Sequence, residues 1–124
     1  MVVNVVAAII KKNNKYLIAQ RNRKKHLGLK WEFPGGKVHE GETFADALIR
    51  EIKEELNITI KMNEKIAEEK YKDKKIDITL HYYLCSIKSN TIKLNEHENL
   101  IWLEKKNFCH YNFAEGDKNI LSLL

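Results

Sequence analysis

Gly35-Gly36-Lys37-Val38-His39-Glu40-Gly41-Glu42, followed seven residues later by Arg50-Glu51-Ile52-Lys53-Glu54-Glu55-Leu56, is the stretch whose reading decides the fold. The glycine pair after Pro34 reads as a bent loop, where positive φ costs little and backbone can approach a ligand or ion. Thr43 reads as a helix N-cap, with Asp46 three residues on completing a capping-box-like pair. From about Phe44 to Leu56 no Gly or Pro intervenes, and apolar residues fall at 45, 48, 49, 52 and 56, the helical period. Glu51, Glu54 and Glu55 stand at i, i+3 and i+4, side by side on one helical face beside the apolar stripe. Like charges so placed repel, and a divalent cation is the simplest compensation. An oxygen-only, carboxylate-dominated donor set suits Mg²⁺, with Mn²⁺ as the alternative. A Glu-rich helix face is otherwise most often a solvated surface.

The spacing goes further. Gly36, five residues, Glu42, seven residues, then Arg50-Glu51-Ile52-Lys53-Glu54-Glu55-Leu56-Asn57-Ile58 resembles the Nudix box, spanning 36–58. Every fixed polar position matches. Asn57 replaces the glycine that usually follows the helix, and Asn is the next-best residue for a left-handed cap.

The remaining pattern fits one domain over 1–124. Val2 to Ile10 is apolar and β-branched almost throughout, as in a strand buried on both faces. Lys11-Lys12-Asn13-Asn14-Lys15 reads as a turn, and 16–20 as the returning strand of a hairpin. Arg21 to Lys30 is a basic loop leading into Trp31-Glu32-Phe33-Pro34. Further strands are expected at 58–62, 66–71, 76–87, 91–94 and 100–103, an irregular aromatic segment at 108–113, and a closing helix over 116–124. Strands around one loop–helix and one terminal helix imply an α/β fold: a mixed central sheet flanked by the box helix and the C-terminal helix, an α/β/α sandwich. The Nudix resemblance implies the same architecture.

Composition sets outer bounds. The chain has 124 residues, 44% hydrophobic and 31% charged, an ordinary globular balance with room for a core. A formal net charge of +5 can steer a polyphosphate substrate. Aromatics are not interleaved with a basic run, so no nucleic-acid polymer is expected as partner. No apolar run is long enough to span a bilayer. Cys85 and Cys109 lie outside any metal spacing and fit reduced thiols, and the N-terminus lacks a basic leader, so a cytoplasmic protein is expected. The expected assembly is a monomer or weak homodimer.

The resemblance extends nearly end to end and is nearest to the MutT branch, the nucleoside-triphosphate pyrophosphohydrolases. Trp31-Glu32-Phe33-Pro34-Gly35-Gly36-Lys37 is similar to the segment leading into the box in that branch. It implies Mg²⁺ at the Gly36 carbonyl, Glu51, Glu54, Glu55 and Glu96, with catalysis resting on Glu51, Glu54, Glu96 and Arg50. Either Glu51 or Glu96 would take the proton, while Arg50 would orient the glutamates. Arg21, His26 and Lys37 fall on the phosphate side. Phe33 is a candidate substrate contact, although aromatics in such a stretch are more often core. Asp117 falls where the branch carries a base-reading Asn. Ionised Asp offers acceptors only, for guanine N1–H and N2–H or cytosine N4–H. An adenine-type edge would need a protonated Asp in an apolar pocket.

The implied reaction is hydrolysis of a nucleoside triphosphate to monophosphate and pyrophosphate, with attack at the β-phosphorus. Oxidised guanine triphosphate, 8-oxo-dGTP, leads as substrate. CTP or a modified dCTP is the alternative, because cytidine-favouring relatives look similar, including their Glu-His loop. ADP-ribose is disfavoured, since Pro34 is the only proline, and the coenzyme A pattern is absent from 21–30. A non-catalytic nucleotide-binding domain is the reading of another class, but such domains typically lose box glutamates that are all present here.

Overall fold

The computed structural model describes residues 2–89 and 91–124. Its centre is β1 (Val3–Lys12), where Val6 to Ile10 are all buried. The pleat sends alternate residues to opposite faces. Val6, Ala8 and Ile10 join one apolar cluster with Leu48, Ile52 and Leu56 of the helix α1 (Phe44–Leu56). Ala7 and Ile9 join another, with Phe33, Tyr82, Phe108, Phe113 and Ile120. A run apolar at every position is what a strand covered on both faces requires.

The sheet is mixed. β1 runs parallel to β6 (Asp77–Ser89), from Val3 against Ile78 to Ile10 against Cys85. On its other edge it is antiparallel to β4 (Gly35–Lys37). At its end Asn13 and Asn14, both at positive φ, turn it into β2 (Lys15–Gln20). β2 pairs antiparallel with β3 (Trp31–Glu32) and β7 (Asn99–Leu103). β5 (Thr59–Lys72) pairs antiparallel with β6 as a long hairpin.

The box helix forms as its sequence dictates. The Thr43 hydroxyl accepts the Asp46 N–H at 3.1 Å. Asn57 adopts φ 62°, and its N–H closes on the Lys53 carbonyl at 3.0 Å, a left-handed cap made without glycine.

Four local expectations give way. The segments 58–62 and 66–71 are one strand, β5, because register shifts between Met62 and Ala67 absorb the polar Asn63-Glu64-Lys65. Residues 91–94 form no strand; the Lys93 N–H goes to the Leu56 carbonyl and the Asn95 N–H to the Glu55 carbonyl, satisfying the end of α1 instead. The closing helix shrinks to α2 (Glu115–Lys118) and a 3-10 turn at Leu121–Leu123. Its apolar residues do not share one helical face: Ile120 is buried while Leu123 is exposed. The second covering layer is completed by a 3-10 helix at Lys105–His110, which begins before the aromatic segment expected at 108–113 and overlaps its first three residues. Finally, Gly35 and Gly36 are strand residues, and the positive φ (83°) belongs to Gly41. No helix among the described residues is long and apolar enough to cross a membrane.

Close approach, not turning, explains the glycine pair. A Cβ on Gly35 would stand 1.9 Å from the Val6 carbonyl oxygen, and one on Gly36 would stand 2.3 Å from the Glu51 carboxyl carbon. The first contact is with the backbone of the central strand, which has nowhere to move. Gly35→Ala is therefore expected to destabilise the fold by about 3 kcal/mol, the upper range of overpacking costs, read as a shift in urea midpoint. A loss below about 1 kcal/mol would contradict this packing.

Candidate active site

The C-terminal half of α1, β4, the 21–30 loop, the loop before β7 and the β5–β6 hairpin surround a cavity of about 440 Å³. Gly36, Lys37, Glu51, Glu55, Glu96, Arg21, His26, Phe33 and Asp117 all line it. Two residues expected at the site do not: Glu54, whose side chain is 53% exposed, and Arg50.

The box glutamates are graded rather than equivalent. One helical face carries them, but α1 rolls that face from the sheet to solvent. Glu55 is buried, Glu51 is mostly buried and Glu54 is exposed. Burial, then the nearby charges of Glu32 and Glu51, pushes the Glu55 carboxyl up to about 9. Its Oε1 is buried and has no hydrogen-bond partner among the described residues. Burial also raises Glu51, against the pull of Arg50.

Arg50 is a strut. Its Nε and Nη2 donate to the two Glu42 oxygens at 2.7 and 2.8 Å. Nη1 donates to Glu51 Oε1 at 2.9 Å and reaches Glu54 at 3.5 Å, and Nη2 also meets the Lys37 carbonyl at 3.1 Å. Bonding to Arg50, then to the His39 N–H, holds Glu42 down to about 2. Glu42 thus serves as counter-ion to the arginine, and Arg50 fixes where Glu51 points.

The basic loop is similarly tied. Arg21 donates from Nε to the His26 carbonyl (2.9 Å) and from Nη1 to Glu32 Oε1 (2.7 Å). His26 Nε2 pairs with Asp73 at 2.8 Å. Asp73 is fixed by the N–H groups of Lys75 and Ile76 and by the Tyr71 hydroxyl, which together hold its carboxyl far below the usual range. Asp117 is buried, accepting the Phe33 N–H at 3.1 Å and the Tyr82 hydroxyl at 2.5 Å. Burial, then the charge of Glu32, raises Asp117 to about 7.

Sequence reasoning missed Glu32, Asp73, Tyr82 and His97. Glu32 pairs with both Arg21 and His97, and those two outweigh the burial that would raise its carboxyl. Glu32 stands between Trp31 and Phe33, so strand alternation alone sends it to the other face; nothing local reveals that this face is a cavity. Tyr82 sits in the clean apolar alternation of β6 and looks like core.

No group of three or more His, Cys, Asp or Glu among the described residues is already drawn tightly around an ion position. The residues nevertheless fit a hard divalent cation. Glu51, Glu55 and Glu96 face one cavity, the donors are all oxygen, and the buried Glu55 oxygen lacks any protein partner.

The fit has a consequence for the metal-free protein. A carboxyl whose ordinary value is 4.5 stands near 9 when folded, so the native state holds that proton more tightly than the unfolded chain. Its contribution is complete below 4.5 and lost as pH rises toward about 9. In EDTA, the wild-type melting temperature is expected to fall across that window, and Glu55→Gln to flatten the decline and melt higher at pH 8. A variant that melts lower than wild type at pH 8 would rule out an uncompensated Glu55.

Comparison with known proteins agrees with this arrangement. The family model described as NUDIX domain matches residues 5–123. The chain is 34% identical to the CTP pyrophosphohydrolase of Escherichia coli K12, covering 96% of this chain and 88% of that protein. It is 33% identical to the 8-oxo-dGTP diphosphatase of Buchnera aphidicola, covering 95% and 89%. The solution structure of a MutT protein of the Nudix hydrolase family from methicillin-resistant Staphylococcus aureus 252 superposes with a TM-score of 0.79 at 38% identity, covering 99% of this chain and 95% of that one. With a box helix that delivers Glu51 and Glu55 into a cavity and a family match over nearly the whole length, the chain belongs to the Nudix family and is a Nudix hydrolase.

Proposed function

We propose that the protein hydrolyses a nucleoside triphosphate to the monophosphate and pyrophosphate with the help of Mg²⁺, 8-oxo-dGTP and dGTP being the leading substrates in upkeep of the nucleotide pool. The observation that carries this reading is the buried, unpartnered Glu55 carboxyl in the same cavity as Glu51, Glu96, Arg21 and Lys37. Acidic and basic groups facing one space suit a cation and a polyphosphate together.

The Gly36 carbonyl, Glu51, Glu55 and Glu96 would hold the cation, with Glu54 reaching in from the helix edge. When bound, the ion withdraws charge from phosphoryl oxygens and lowers the pKa of water. The protein's own groups do the rest. Lys37 and Arg21 offset phosphate charge. Arg50 holds Glu51 Oε1 and leaves Oε2 for the attacking water. Glu51 is mostly buried and Arg50 fixes its direction, whereas Glu96 is 44% exposed, so we assign the proton to Glu51. Water's oxygen bonds to the β-phosphorus, the bond to the α,β-bridging oxygen breaks, and that oxygen departs with the monophosphate. Pyrophosphate carries the water oxygen.

Asp117 accepts from the Phe33 N–H, Glu51 lies against Gly36, and all four residues line the one cavity. That arrangement suits a nucleotide laid from base to phosphates, with Asp117 at the base. A second reading, CTP or a modified dCTP, is favoured by the same residue, because ionised Asp117 also accepts from cytosine N4–H.

Purified protein with Mg²⁺ is expected to release pyrophosphate from 8-oxo-dGTP, dGTP or CTP and to stop in EDTA; a panel inactive on all triphosphates would favour a binding module. Glu51→Gln is expected to lower kcat by about 100-fold or more, the scale of a lost general base, with the fold retained by circular dichroism. Turnover within several-fold of wild type would remove Glu51 from the chemistry.

A further inference from the structure

Glu96 enters the cavity from the segment Asn95-Glu96-His97-Glu98, and its own side chain is poorly held. It is 44% exposed, and among the described residues its ion pair is the loose one to Lys25 at 3.8 Å. Its neighbours are held firmly. Asn95 donates from Nδ2 to the Glu54 carbonyl at 2.9 Å and from its backbone N–H to the Glu55 carbonyl at 3.0 Å. The Glu98 N–H goes to the Gln20 carbonyl at 2.9 Å, and Glu98 Oε1 takes the Arg23 Nε at 2.9 Å. His97, whose side chain is 5% exposed, sets Nε2 at 2.9 Å from Glu32 Oε2. The other Glu32 oxygen is occupied by Arg21, so one mostly buried carboxylate ties this segment to the basic loop.

Asn95 ties one side of Glu96 to the carbonyls at the end of α1, and Glu98 closes the far end of the segment. The His97–Glu32 pair holds the residue on the other side of Glu96, and it reaches the cavity wall through the Glu32 carboxylate. An exposed carboxylate on an untethered segment loses conformational freedom each time it is used. A neighbour locked into a largely buried, charge-assisted bond removes that cost beforehand.

We propose that His97, acting through Glu32, is a positioning residue for Glu96. His97 is not among the residues lining the cavity. The pair holds the segment so that the Glu96 carboxylate faces the cation and triphosphate rather than solvent. This rests on the role given to Glu96 under Proposed function.

The test is a set of variants: His97→Ala and His97→Gln, each alone and combined with Glu96→Gln. Glutamine can place its amide donor where His97 Nε2 stands, so it keeps the bond to Glu32; alanine cannot. His97→Ala is expected to lower kcat about 10- to 100-fold, the cost of a misplaced catalytic group, with KM within about threefold. His97→Gln restores most of the loss. In the Glu96→Gln background His97→Ala costs less than about threefold, because a residue acting through another has nothing left to act on. Mn²⁺ binding with a nonhydrolysable triphosphate, followed by electron paramagnetic resonance, should weaken in His97→Ala, recover in His97→Gln and be insensitive to His97 once Glu96 is gone.

Equal losses in both backgrounds, or no loss at all, overturn the proposal. So does a His97→Gln protein as impaired as His97→Ala. If Glu96→Gln is itself as active as wild type and binds Mn²⁺ as well, the role of Glu96 falls and the proposal falls with it. If the wild type hydrolyses no triphosphate, the proposed reaction fails separately and the Mn²⁺ titrations still decide the positioning role.

Discussion

Carboxylates taken out of water need a counter-charge, and this protein supplies it unevenly. Arg50 meets Glu51, Lys25 stands at a distance from Glu96, and Glu55 Oε1 meets nothing. Arg50 is not free to do more, since Glu42 already takes two of its donors and the Lys37 carbonyl takes a third contact. Desolvating a charge costs several kcal/mol when it is left unpaired (of order that for each ion). A fold that keeps Glu55 buried therefore accepts either a proton or a cation there. The carboxyl near 9 is the proton answer, and the divalent ion is the one the proposed reaction uses.

That constraint explains features far from the helix. Glu51 reaches its place only because Gly36 has no side chain, and β4 reaches β1 only because Gly35 has none. β1 in turn is apolar on both faces because it is sandwiched between α1 and the thin layer made by residues 105–124. A site that needs like charges together is thus set on the most over-determined part of the fold. Around it, polar ties do what packing does in the core. Asp73 holds His26, Glu32 holds Arg21 and His97, and Asp117 joins Phe33 to Tyr82.

The helix, its two caps and the central strand were readable because each rests on short-range rules. The Thr43 hydroxyl accepts the Asp46 N–H and the Asn57 N–H donates to the Lys53 carbonyl, each within four residues. The glycine pair was misread because strand contact and turn geometry both call for glycine, and only tertiary structure tells them apart. Residues 91–94 look like a strand by composition, yet their N–H groups are drawn to the open end of α1, a partner more than thirty residues away. Among the site residues, the box spacing located the cavity glutamates but could not grade their burial. Glu32 and His97 are separated by 65 positions, and a pair at that distance leaves no trace in local pattern.

The proposed base end obeys a different physics from the proposed metal end. Asp117 spends one acceptor position on Phe33 and one on Tyr82, leaving further lone pairs on each oxygen. Asparagine in its place would present a donor and an acceptor at every pH. Aspartate near 7 instead alternates between an acceptor-only carboxylate and a carboxylic acid that also donates. The ionised form suits the N–H edges of guanine and cytosine alike. A residue whose hydrogen-bonding character changes around neutrality selects less sharply than one whose character is constant. Under the proposed reading, discrimination among bases falls to the shape of the wall that Leu80, Ala114 and Gly116 provide. A Cβ on Gly116 would stand 2.3 Å from Leu80 Cδ1, so the absence of a side chain at Gly116 is what lets Leu80 lie where it does in that wall.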